Sequence, residues 1–107
     1  MSVLVVQFRV DPADVAQVQA ALTAMCEALA VEQPAGTRFA ACKLADGVSF
    51  LNILQLDEGA PNPLPEIPAA REFQQRMIAC ALGDEPPTAA PVTVVGSYGL
   101  LEEVPAR

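Results

Sequence analysis

The side chains able to do chemistry in this 107-residue sequence are few. Histidine is absent, which removes the imidazole that zinc sites, haem sites and Ser-His-Asp arrangements draw on. The sequence has no CxxC pair and no glycine-rich phosphate loop. The acidic neighbours Asp57-Glu58, Asp84-Glu85 and Glu102-Glu103 offer the oxygen ligands a hard cation takes, but adjacent carboxylates at loop or strand ends read as solvated surface. No metal and no cofactor is therefore expected, and no residue is assigned a catalytic role. What remains are neutral polar side chains in apolar company, Asn52, Gln74 and Tyr98, with Phe73 beside them as pocket candidates. Such groups orient a molecule by hydrogen bonds and ring contacts.

The position of Asn52 follows from a hairpin. Residues 37–44 and 48–57 read as strands joined through Asp46-Gly47, whose tolerance of positive φ suits a type I′ turn. If Ala45 faces Val48, Lys43 pairs with Phe50, Ala41 with Asn52 and Phe39 with Leu54 on one face, while Leu44, Cys42 and Ala40 share the other with Ser49, Leu51 and Ile53. Asn52 is then a mid-strand amide among apolar neighbours and must find partners. It bonds either a ligand oxygen or a group across a dimer interface or a water.

Gln74 and Phe73 belong to a helix expected over 68–82, opened by Pro68 and closed by Gly83, with Ala70, Phe73, Met77, Ile78 and Ala81 on its apolar side. Gln74 points either into the space between helix and sheet or to solvent at the helix edge. Tyr98 falls on a last strand over 92–101, sharing a face with Val94 and Gly96, where the missing side chain leaves room beside the ring. It either positions a substrate or is a core ring with its hydroxyl at the rim.

The remaining elements are read in the same way. Residues 3–10 alternate Leu4, Val6, Phe8 and Val10 with Val3, Val5, Gln7 and Arg9, a strand with both faces partly apolar. Asp11-Pro12 opens a helix that runs to about Glu32, with Val15, Val18, Leu22, Met25 and Leu29 as its buried stripe and Pro34-Ala35-Gly36 beyond its end. The proline-rich loop over 58–67 is stiff and is expected across an edge or a pocket mouth. Cys26, Cys42 and Cys80 read as reduced thiols buried as small hydrophobes.

Composition bounds the rest. An apolar share of 52% against 18% charged residues places residues 1–107 as one folded domain. A formal charge of −7 with six scattered Lys or Arg opposes binding to nucleic acid or to anionic membrane. Met-Ser running straight into Val3-Leu4-Val5-Val6, with no basic segment and no apolar run of bilayer length, predicts a cytoplasmic protein.

Strand, helix, hairpin, helix, strand gives an α+β chain of βαββαβ order, ferredoxin-like, with an antiparallel sheet ordered 4-1-3-2 and both helices on one face. The other sheet face keeps apolar residues, which predicts a homodimer with sheets packed face to face.

This sequence resembles the antibiotic biosynthesis monooxygenase-like family of the dimeric α/β-barrel superfamily. The resemblance rests on the strand 3–10 running into Asp11-Pro12, on Glu32-Gln33-Pro34-Ala35-Gly36, on the Asp46-Gly47 hairpin, on Phe73 in the second helix and on the closing stretch from Pro91 to Tyr98. It implies a dimeric α/β barrel with a pocket in each subunit between sheet and helices, where some members oxidise aromatic polyketides without a prosthetic group and others degrade haem. The haem-degrading branch uses a histidine ligand with nearby tryptophan and asparagine. This chain has neither His nor Trp and puts Val6 and Phe8 on the pocket face, which excludes that scheme. The expectation is a protein that binds a small hydrophobic or aromatic molecule, as a cofactor-independent monooxygenase in which Asn52, Tyr98 or Gln74 orient the substrate. The alternative is a non-catalytic metabolite-sensing or structural dimerisation module, and the size of the pocket separates the two.

Overall fold

The computed structural model describes residues 1–102. Its elements follow in the order β1 (Ser2–Arg9), α1 (Val15–Glu32), β2 (Thr37–Lys43), β3 (Ser49–Leu56), α2 (Pro68–Cys80) and β4 (Ala90–Val92), with single 3-10 turns at Pro12–Asp14 and Leu64–Glu66. The strands form one antiparallel sheet ordered β2-β3-β1-β4. With two helices packed on it, this small α+β architecture is compatible with a ferredoxin-like fold. No helix among the described residues is long and apolar enough to cross a membrane.

Local chemistry accounts for the helix ends. The Asp11 carboxylate accepts from the Ala13 N–H at 2.9 Å, satisfying an orphan donor before Pro12 starts the 3-10 turn that leads into α1. The stripe Val18, Leu22 and Met25 is buried, each side chain contributing about 1.5–3 kcal/mol before its ordering entropy. At the far end Gln33 takes a left-handed conformation, φ 47°, and its N–H bonds the Leu29 carbonyl; Pro34 then prevents continuation. Helix α2 buries Ala70, Phe73 and Met77 and stops at Cys80, two residues earlier than expected. There the chain turns extended so that Ala81 bridges Val10 and the Leu82 N–H bonds the Arg9 carbonyl. Ile78, expected on the apolar side, is half exposed.

The hairpin has the expected register, Lys43 opposite Phe50, Ala41 opposite Asn52 and Phe39 opposite Leu54, but not the expected turn. A type I′ turn needs positive φ at both Asp46 and Gly47, and only Gly47 has it, at 77°. The turn instead runs from Leu44 to Gly47, closed by the Gly47 N–H on the Leu44 carbonyl at 3.0 Å. The Asp46 carboxylate then accepts from the N–H groups of Val48 and Ser49 and from the Ser49 hydroxyl. Leu44 still meets Ser49 through a 2.8 Å bond, so the register survives the change of turn.

The last strand is the main departure. Instead of a strand over 92–101, only Ala90–Val92 joins the sheet, with Val92, Pro91 and Ala90 opposite Val3, Leu4 and Val5. Gly96, Ser97 and Gly99 beyond it give little for a ladder to pack. The chain crosses the sheet face opposite the helices: the Glu102 carbonyl accepts from Gln55 Nε2 at 2.9 Å and from Arg38 Nη1 at 3.1 Å. Because β4 and β2 are the two edges of the sheet, this tail spans its whole width, and beneath it Val3 and Gln55 are buried. The cysteines also depart from expectation. Cys26 and Cys42 are exposed and only Cys80 is partly buried, all as free thiols, because Cys26 lies off the α1 stripe and Cys42 on the face that no helix covers.

Candidate functional site

On the helix side of the sheet, Phe8, Phe50 and Phe73 pack with Val18, Leu22 and Met25 into the core. Towards β4 the packing gives way to a cavity of about 510 Å³. Its floor is the sheet, with Leu4 and Val6 from β1, Asn52 and Leu54 from β3 and Phe39 from β2, and its wall is α2 with Ala70, Phe73, Gln74 and Met77. Two irregular segments make the rim: Asn62, Leu64 and Pro65 from the proline-rich loop, and Pro87, Thr88 and Ala89 from the approach to β4. None of these lining residues carries a charge.

Asn52 is the one polar side chain on the floor. It stands opposite Val6 in one ladder and Ala41 in the other, so neither neighbouring strand offers its side chain a partner. Asn52 is only 3% exposed, and its Oδ1 is buried without a hydrogen bond. Such an orphaned acceptor costs about 1–3 kcal/mol, a cost that a solely structural residue would shed by becoming leucine.

The expected pocket residues are thus brought together in part. Asn52, Phe73 and Gln74 line one cavity, Gln74 resolving its two readings by being exposed at the helix edge while facing the cavity mouth. Tyr98 does not join them: it is 97% exposed on the tail, because the strand that was to hold it does not form. The rim residues Asn62 and Thr88 escaped sequence reasoning, since loop polar residues carry no periodicity that would aim them. Their one local signal was proline: the stiff 58–67 loop does lie at the mouth, where the Asn62 side chain accepts from the Leu64 N–H at 3.0 Å.

Outside this cavity the ionisable groups do little that resembles catalysis. Although Cys26 is an exposed residue, partial desolvation of its thiol pushes it up from its ordinary range, away from the thiolate a nucleophile needs. Arg38 is committed to the tail carbonyl and Arg76 to Glu72, 3.1 Å away on α2. Of the acidic pair Glu102-Glu103, Glu102 holds the tail through the Gly99 N–H at 2.8 Å, and Glu103 lies outside the described residues.

No protein-family model matches this chain, and no curated protein matches it. Among solved structures it is similar to the NE2512 protein of unknown function from Nitrosomonas europaea, with a TM-score of 0.66 at 17% sequence identity, over 99% of this chain and 95% of that one. At that identity the likeness speaks for the fold alone.

Proposed function

We propose that this protein binds a small hydrophobic or aromatic molecule between its sheet and α2, and that it works as a homodimer, a dimeric α/β barrel like the antibiotic biosynthesis monooxygenase-like proteins. The cavity carries the reading. Its volume, about 510 Å³, falls within the 300–1,000 Å³ usual for small-molecule sites, and its lining is apolar with a few converging polar groups. A solidly packed interior would have supported a purely structural module instead.

The uncharged lining bears on activity. With no acid or base among the described lining residues, a cofactor-independent oxygenation here has no side chain to take the substrate's proton, and Asn52 and Gln74 serve only to hold the substrate in place. The same observation favours a second reading, a non-catalytic module that senses a metabolite, for which an uncharged pocket is sufficient.

The dimer is supported by the sheet face away from the helices. There Val5, Leu51 and Ile53 are half-buried with no helix over them, and the tail beside them turns Val95, Tyr98 and Leu100 to solvent. A second copy packed face to face would cover both sets. Native mass spectrometry of freshly purified protein tests both parts. A dimer with retained small-molecule mass is the expected spectrum; a bare monomer, with no uptake of naphthalene-sized aromatics in calorimetry, would remove the proposal.

A further inference from the structure

Building on the reading of the cavity as a binding site, we infer that its ligand is uncharged and carries, on its buried edge, a hydrogen-bond donor for the amide oxygen of Asn52. Two independent observations lead there. The first is charge. No lining residue among the described residues is ionised, so a charged ligand would lose its hydration with no counter-ion to replace it, a loss that hydrogen bonds to amides do not make good.

The second is the orphaned oxygen. Asn52 is 97% buried by the complement of its 3% exposure, it lines the cavity floor, and its Oδ1 lacks a partner. Val6 and Ala41, its ladder neighbours, can never supply one. The χ2 torsion of asparagine is broad, so a half-turn about Cβ–Cγ exchanges the amide oxygen and nitrogen within the same envelope and presents the acceptor to the cavity. A donor on the ligand pairs with that oxygen. Around this contact Phe73, Leu54 and Met77 are apolar, which confines the polar edge to one place and leaves the body of the ligand hydrophobic. At the mouth, Gln74, Asn62 and Thr88 are neutral too.

Three probes of similar size separate these statements: 2-quinolone, whose ring N–H lies beside its C=O; N-methyl-2-quinolone, which lacks the donor; and 2-naphthoate, which is charged. Their affinities are measured by calorimetry on the full chain and on Asn52→Leu, with Asn52→Ala as a second variant. Wild type should bind 2-quinolone about tenfold more tightly than its N-methyl derivative and should bind 2-naphthoate most weakly. In both variants the two quinolones should fall within about twofold of each other, the donor having lost its acceptor. Equal quinolone affinities in wild type, survival of the preference without Asn52, or tightest binding of 2-naphthoate would each overturn the inference while leaving the cavity a binding site. Binding of none of the three would overturn both.

Discussion

Phe8 and Phe50 face each other across the β1–β3 ladder with their rings stacked, centroids 5.3 Å apart and planes 15° from parallel. Phe8 also meets Phe73 of α2 at 6.1 Å in a tilted contact. One ring on the first strand therefore ties the hairpin to the second helix, whose Phe73 in turn lines the cavity.

Replacing that ring should be costly. Phe8→Ala is expected to destabilise the fold by about 3–5 kcal/mol, read from urea unfolding. A loss under about 1 kcal/mol would mean that Phe8 does not join the two layers.

Asn52→Leu should act in the opposite direction on stability. It exchanges an unpaired buried acceptor for a side chain of similar size, and removal of such a group relieves about 1–3 kcal/mol of desolvation cost. Thermal unfolding should show a higher melting temperature. A lower one would reveal a partner that Asn52 uses within the protein.

The hairpin turn predicts a pH dependence. The Ser49 hydroxyl, with the N–H groups of Val48 and Ser49 and the nearby Arg9 charge, holds the Asp46 carboxyl below its ordinary value. A carboxylate depressed in the folded state stabilises it above its unfolded pKa, about 3.9, and loses that contribution as pH falls through the folded value. The stability gap between wild type and Asp46→Ala should therefore be constant above about pH 5 and shrink below about pH 4, which denaturant titrations at a series of pH values can follow. A gap that grew on acidification would contradict the hydrogen bonds.

Ala70 is buried at the cavity wall. Ala70→Leu adds three carbons where space exists, so melting should change by no more than about 1–3 kcal/mol equivalent while uptake of naphthalene-sized aromatics falls at least tenfold. Unchanged uptake measured by calorimetry would place the ligand elsewhere.

Ile53 sits on the opposite face, half-buried. Ile53→Lys should leave the monomer fold intact by circular dichroism and convert the proposed dimer to monomers in light scattering, because a paired interface would bury two unpaired ammonium groups. Persistence of the wild-type mass would move the contact off this face.

How far the sequence could be read depended on whether the signal was local. Asp11 before Pro12, the three- and four-residue steps from Val18 to Met25, and the pairing of Ala41 with Asn52 are decided within a few residues, and the structure carries all of them. The turn type was misread because Asp46 satisfies its neighbours' N–H groups with its carboxylate, an option composition alone does not rank. Tyr98 was misplaced for a different reason: the alternation after Pro91 resembles a strand, yet Gly96, Ser97 and Gly99 interrupt it with residues that pack little against a ladder, and Arg38 and Gln55 draw the chain across the sheet instead. The exposure of Cys42 and the rim roles of Asn62 and Thr88 arise from which segment covers which surface, and such long-range coverage leaves no periodic mark.

β4 is three residues long, and its middle residue, Pro91, pairs with Leu4 at the outer margin of the sheet. Proline has no N–H to offer the next chain, so this margin cannot template fibre-like growth by strand addition. Self-association is thereby steered away from open-ended stacking along the sheet and toward contacts that close on themselves.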